Sequence, residues 1–218
     1  MFQRLSLMSG SIQVDETGAV KQALAAEKLL DIDPEDLAGA DAAVLGHVAV
    51  VRHMMGVAMA PQIAQYIEML IDGGEEKLVV FAWHIDVLDI LENHLRGAMI
   101  GCVRIDGNTS PTQKDKMVRQ FISDPGVQVV LGNIQSIGTG TDGLQEVCYH
   151  GLIAEPSWVG GENVQCFDRL DRGGQLGQVQ GDIFVAPGSI AERILASALR
   201  KLSVTDAALD KRLIGGRS

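Results

Sequence analysis

Cysteine and positive charge are both scarce in this 218-residue chain. The three cysteines, Cys102, Cys148 and Cys166, include no pair at CxxC spacing. An odd number without that spacing excludes a disulfide framework or a zinc ribbon. All three read as reduced, mostly buried small hydrophobes. The five histidines form neither HxxxH nor HExxH, so no structural metal is expected. Lys and Arg number 18 against 28 Asp and Glu, a formal net charge of -10 with a sequence pI near 4.9. That balance argues against strong autonomous nucleic-acid binding, which usually shows a basic patch and a pI above about 9. It leaves room for a local basic stripe.

Long apolar runs are missing too. The longest, Ala42–Val51, is interrupted by His47 and falls short of the roughly 18 residues of a membrane helix. The first ten residues lack a secretory core. A soluble intracellular protein is the expectation. The chain contains no GxxxxGK[ST] phosphate loop and no GxSxG elbow. No acidic pair closes an apolar strand in the manner of DExH, and no Cys–His pair has useful spacing. Nothing here carries a complete catalytic cycle alone.

What is present is enough for a real core: 46% of residues are hydrophobic, and the length suits one sizeable domain or two small ones. The pattern divides near Pro61–Lys77. Ahead of it, Val20–Leu30 reads as a helix, Asp33-Pro34-Glu35-Asp36 as a helix start, and Pro61 as the opening of a helix ended by Gly73-Gly74. Lys77–Ala82 (KLVVFA) is a continuous apolar run, the mark of a strand buried on both faces. Asp86–Arg96 follows as a helix and Cys102–Ile105 as a strand. Ser110-Pro111-Thr112-Gln113 is a capping box opening a helix through Ile122. Val127–Leu131, Gly151–Ala154 and Asp182–Val185 are further strands, and Ser189 caps a last helix through about Leu202. Strands and helices in alternation predict an α/β fold, a mostly parallel sheet covered by helices on both faces. Ligands of such sheets bind at the carboxyl ends of the strands, here just after Ala82, Ile105, Leu131, Ala154 and Val185.

Four places carry candidate chemistry. Gly138-Thr139-Gly140-Thr141-Asp142-Gly143 matches GxGxxG, but five residues separate it from Leu131-Gly132. A Rossmann fingerprint belongs at the strand end with an acidic residue about 20 positions on, so a backbone loop approaching phosphate or another domain fits better. Gln165–Gln175 (QCFDRLDRGGQ) places Arg169 and Arg172 three apart, projecting similarly from one helical turn. Guanidinium groups suit bidentate contact with phosphate oxygens. Ordinary surface pairing with Asp168 and Asp171 is the plainer alternative. His84 and the turn Asp106-Gly107-Asn108-Thr109 each follow a strand, as polar turn residues or as ligand contacts.

In order, these segments resemble the second RecA-like lobe of Swi/Snf-type superfamily-two DNA translocases, most closely the annealing-helicase branch and its phage and bacterial relatives. The likeness runs from about Arg52 to Leu202. KLVVFAWHIDVLDILENHL is similar to motif IV, VRIDGNTSPTQKDKMVRQFISDP to the segment that follows it, VQVVLGNIQSIGTGTDGLQ to motif V, and EPSWVGGENVQCFDRLDRGGQLGQV to motif VI. Asp171 and Gly173 stand where motif VI usually has His and Ile, and Trp158-Val159-Gly160 replaces Trp-Asn-Pro.

The resemblance implies a RecA-like three-layer sandwich over residues 51–205; the flanking sequence reads as a helical extension at 1–50 and a flexible tail at 206–218. It implies that Arg172 and Arg169 act as arginine fingers. Gln165, Gly138, Gly140, Asp142 and Gln175 would lie on the nucleotide, and His84, Gly107, Asn108, Thr109 and Thr139 on DNA. ATP with magnesium is the implied cofactor, the metal held mainly by a partner lobe on another chain that carries the phosphate loop and DExx box. ATP hydrolysis is expected only with that partner, DNA binding alone is weak, and no membrane is involved. Arg96, Arg104, Lys114, Lys116 and Arg119 are a candidate basic strip. The alternative is a non-catalytic interaction module that keeps the lobe-two fold and binds a replication or recombination protein.

Overall fold

The computed structural model describes residues 8–30, 39–137, 141–157, 160–171 and 178–196, with backbone only for 8–11 and 160–161. Six strands form one all-parallel sheet: β1 (Met8–Gln13), β2 (Leu78–Ala82), β3 (Gly101–Ile105), β4 (Val127–Asn133), β5 (His150–Ile153) and β6 (Gln180–Val185), in the order β1-β6-β5-β2-β4-β3. Side chains alternate across a strand, and β2 shows why its sequence has no polar gap. Leu78, Val80 and Ala82 enter a core with α1 (Gly18–Leu29), α2 (Ala42–Asp72) and α3 (Ile85–Gly97). Val79 and Phe81 enter a second core with α4 (Pro111–Ser123), α5 (Ile134–Ile137), α6 (Gly160–Phe167) and Leu195 of the helical segment 190–196. All five β2 residues are fully buried. Helices therefore cover both faces, giving the expected three layers.

Local signals hold where they are strongest. Ser110 accepts from the Gln113 amide at 3.4 Å while Gln113 Oε1 accepts from the Ser110 amide at 3.0 Å, closing the capping box on α4. Lys77 Nζ donates to the carbonyls of Phe121, Asp124 and Val127 at 2.7–2.8 Å, satisfying the open end of the same helix. Gly151 lies under α6 because a Cβ there would press on Leu170 and Phe167.

The N-terminal reading differs from the expected helical extension. Residues before 51 contribute β1, an edge strand parallel to β6, as well as α1. A boundary at 50 falls inside α2, a single 31-residue helix in which Pro61 is interior rather than first. At this length α2 is long and apolar enough, by length and composition, to cross a membrane. Val48, Val51, Met55, Met59, Ile63 and Ile67 are buried, while Leu45, Val50 and Met54 of the first half are exposed. The proposed helix start at Asp33, the end of the last helix and the tail at 206–218 lie outside the described residues.

Candidate functional site

β2, β4 and β5 lie side by side at the centre of the sheet, and polar residues stand at or within two positions of their carboxyl ends: His84, Asn133 and Glu155. After β5 comes Glu155, which is 3% exposed. Its Oε2 accepts the Trp83 and His84 amides at 2.9 and 2.8 Å, and its Oε1 is hydrogen-bonded to His84 Nδ1 at 2.7 Å. A buried carboxylate is tolerated only when so satisfied. The Arg52 guanidinium of α2 stacks over the Trp83 ring at 4.2 Å and donates to the Pro156 carbonyl at 3.1 Å. Burial pulls the Arg52 pKa down, opposed by the charges of Glu155 and Glu162. Gly56, one turn along α2, leaves room for the Glu155 carboxylate; a Cβ there would collide with Oε1. His53 lies 4.6 Å from His84, ring to ring, and its Nε2 is 3.0 Å from Asp86 Oδ2.

Asn133 closes β4. Its Nδ2 donates to the Trp83 carbonyl at 2.6 Å, and its Oδ1 accepts from the amides of Gln135 and Ser136, at 3.1 and 3.3 Å, at the start of α5. The turn Trp83-His84 is thus gripped through its amides by Glu155 and through a carbonyl by Asn133.

A cleft opens beside α5. Ile134, Gln135 and Ile137 form one wall, and Glu162, Gln165, Cys166 and Arg169 form the other. The structure therefore brings Gln165 and Arg169 together against motif V. Burial pushes the Cys166 thiol up to about 12, so it lines this cleft as a neutral group. Ser157 Oγ hydrogen-bonds the Glu162 carboxylate, and Asn163 Nδ2 donates to the Ser157 carbonyl at 2.8 Å, fixing the start of α6 over the sheet. Asp142 is not among the residues lining this cleft; its Oδ1 accepts from Gln145 Nε2 at 3.1 Å, next to Gly143 at φ +107°. Arg172, Gln175, Gly138, Thr139 and Gly140 lie outside the described residues. Among the described residues, no three His, Cys, Asp or Glu side chains gather as a metal site.

The remaining expected contacts are placed more unevenly. Gly107 and Asn108 are exposed, in a turn held by Asp106, which accepts from the Asn108 amide at 2.9 Å and the Thr109 amide at 3.1 Å. This turn adjoins α5: a Cβ on Gly107 would lie 3.7 Å from Ser136 Oγ, and Lys114 Nζ donates to the Ser136 carbonyl at 2.8 Å. His84 is the residue preceding α3, with Nδ1 turned into Glu155. The candidate basic strip is not assembled. Arg104 is surrounded by Asp89, Glu92 and Asp106, and Arg96 pairs with Glu92 at 2.6 Å. Only Lys116 and Arg119 of that group stand exposed with no ion pair among the described residues.

An all-parallel sheet of this order, layered by helices and with its polar residues at the strands' carboxyl ends, is a RecA-like lobe of the helicase C-terminal type. The C-terminal part of the Fun30 ATPase domain superposes with a TM-score of 0.58 at 24% identity, over 63% of this chain and 44% of that one. The sequence narrows the class. The human DNA annealing helicase and endonuclease ZRANB3 is 30% identical over 179 residues, 80% of this chain, and the cattle protein 30% over 191 residues, 85% of this chain. The cattle SWI/SNF-related matrix-associated actin-dependent regulator of chromatin subfamily A-like protein 1 is 30% identical over 148 residues. No family model matches. The chain spans 15–17% of the length of these relatives. It corresponds to the C-terminal lobe of a Swi/Snf-type helicase.

Proposed function

We propose that this chain works as the second lobe of a DNA-dependent ATPase, closing over ATP held by a phosphate-loop lobe that lies outside these 218 residues, on a partner chain. The observation that carries the reading is the cleft in which Gln165 and Arg169 of the motif VI region face α5 of motif V at the end of β4. Its chemistry suits one side of a triphosphate. Arg169 supplies positive charge and Gln165 a neutral donor and acceptor. Among the described residues lining the cleft the one carboxylate, Glu162, is engaged by Ser157, so this side offers magnesium no free carboxylate. The metal and the phosphate loop belong to the other lobe. ATP bound between the lobes supplies the phosphoryl group, and Arg169 with Arg172 stabilises the charge that builds on it, an effect worth roughly 10³–10⁵ in rate for arginine fingers.

DNA lies, in this reading, along the turns at His84 and Gly107–Thr109 and along Thr139. With Arg96 and Arg104 already paired to carboxylates, this lobe contributes a minor share of the backbone contacts, and its own DNA affinity is weak and salt-sensitive. The test is hydrolysis by the chain assembled with its phosphate-loop lobe, with Arg169→Ala and Arg172→Ala compared. Loss of DNA-stimulated turnover by about 10³ or more in either variant supports the assignment. Unchanged turnover in both removes the finger role. Tight binding to an intact helicase, insensitive to ATP and to both substitutions, would favour a non-catalytic docking module instead.

A further inference from the structure

We infer that the amino-terminal part of α2, Ala42–Val51, is an arm on which the phosphate-loop lobe docks. The identity of that occupant rests on the proposed function; the arm itself is defined by sequence and geometry. No Asp, Glu, Lys or Arg stands between Ala42 and Val51, and His47 is the only polar side chain there. Ala42, Ala43, Leu45, Gly46, Ala49 and Val50 are nevertheless exposed, Leu45 at 44% and Val50 at 60%. A helix apolar nearly all round is normally a buried one. Left uncovered, such a surface marks an interaction site. Asp41 caps it, Oδ1 accepting the Val44 amide at 2.9 Å, so the arm begins as a formed helix end.

Position selects the occupant. α2 runs against the strands: it ends at Asp72, just ahead of β2, and passes their carboxyl ends at Arg52, which stacks over Trp83 beyond β2 and donates to the Pro156 carbonyl beyond β5. Ala42–Val51 therefore continue past those ends by about 15 Å, at 1.5 Å per residue. The cleft of Gln135, Gln165 and Arg169 lies at the same carboxyl ends, in the layer on the opposite face of the sheet. A lobe that closes over this cleft has the arm beside it, rising from the far layer. Contact at both places holds the lobe across the sheet, with apolar area that the polar cleft does not provide. The chain spans 15–17% of the length of its relatives, so a body large enough to cover the arm lies outside these residues.

The experiment measures calorimetric affinity between this chain and the phosphate-loop chain that co-purifies with it, and DNA-stimulated hydrolysis as this chain is titrated in. Leu45→Glu and Val50→Glu place a charge on the arm at exposed positions, so the Tm of the chain should hold. Each should weaken association by about 30-fold or more, the worth of an interface anchor. Each should also raise the concentration giving half-maximal hydrolysis while maximal turnover is kept. Met99→Glu, at a 93% exposed residue just ahead of β3 and so at the amino end of the sheet, is the control and should bind like the native chain. Arg169→Ala should do the reverse of the arm variants, lowering maximal turnover with association kept. Native affinity in both arm variants overturns the arm as the docking site. Self-association of this chain, or binding to phosphatidylserine vesicles, that the arm variants abolish while lobe affinity holds also overturns it and gives the arm to a second copy or to a membrane. A pair that associates through the arm yet hydrolyses no ATP overturns the proposed function and leaves the arm in place. A native chain that binds no phosphate-loop chain overturns both.

Discussion

Glu155→Gln should destabilise this protein more than any exposed charge substitution. The native carboxylate is 3% exposed and engages two amides and one imidazole nitrogen at 2.7–2.9 Å. Hydrogen bonds to a charged group contribute about 1.5–3 kcal/mol each. Glutamine retains one oxygen for the two amides but turns its NH2 toward either His84 or the Gly56 wall. It also removes a charge that opposes the burial of Arg52, and breaking a buried pair by removing one partner costs about 3–5 kcal/mol. With Glu162 still offsetting Arg52, the lower end, about 3 kcal/mol, is expected. At roughly 2–4 °C per kcal/mol for a chain of this size, Tm should fall by about 6–12 °C. Urea unfolding followed by tryptophan fluorescence suits the measurement, because Trp83 sits in the cluster under Arg52. Glu16→Gln, at an exposed position, is the control and should stay within about 0.5 kcal/mol. A Glu155→Gln effect as small as the control's would refute the idea that this carboxylate organises the strand ends.

Three further outcomes follow from the same geometry. Gly56→Ala, ordinarily favourable in a helix by about 1 kcal/mol, should instead cost about 1–3 kcal/mol because its methyl meets Glu155; a stabilised variant in thermal melts would contradict the packing. His150 is buried on β5, with Nδ1 3.2 Å from Glu75 and Nε2 2.9 Å from Asp182, which Tyr66 also contacts. Burial opposes its charge, but those two carboxylates outweigh burial and raise its pKa. A raised histidine pKa stabilises the fold fully below its ordinary value of about 6.5, and that contribution is lost as pH rises through the folded value. Denaturant midpoints should therefore fall across that window in the native chain and less in His150→Gln; parallel curves would refute it. Lys77→Met should cost about 2 kcal/mol by stranding carbonyls at the end of α4, whereas Lys116→Met, exposed on the same helix, should change the urea midpoint little.

Elements whose chemistry is local were legible in the sequence. The KLVVFA run, the capping box at Ser110 and the helix end at Gly73 each announce themselves by composition. β1 did not, because MSGSIQ at a sheet edge needs no buried alternation and has few apolar side chains. Only the part of α2 from Pro61 onward was legible, because Pro61 looks like a first-turn proline, yet the helix runs through it, held by the core contacts of Met55, Met59 and Ile63. The rule that ligands gather at the carboxyl ends of strands pointed to the positions after Leu131 and Ala154 without naming Asn133 or Glu155. Their one sequence signal is a lone polar residue ending an apolar run. Their meaning appears only when parallel pairing sets β2 between β4 and β5. The basic strip failed for the converse reason: Arg104 looks free in sequence until β3 lies beside Asp89 and Glu92 of α3.

The central claim, that this lobe completes an ATPase rather than acting by itself, is tested most directly by mixing. Hydrolysis is measured for this chain, for the phosphate-loop lobe, and for the two together, each with and without duplex DNA. The account predicts negligible turnover by either alone and DNA-stimulated turnover by the pair. Equal hydrolysis by the phosphate-loop lobe with and without this chain would contradict it.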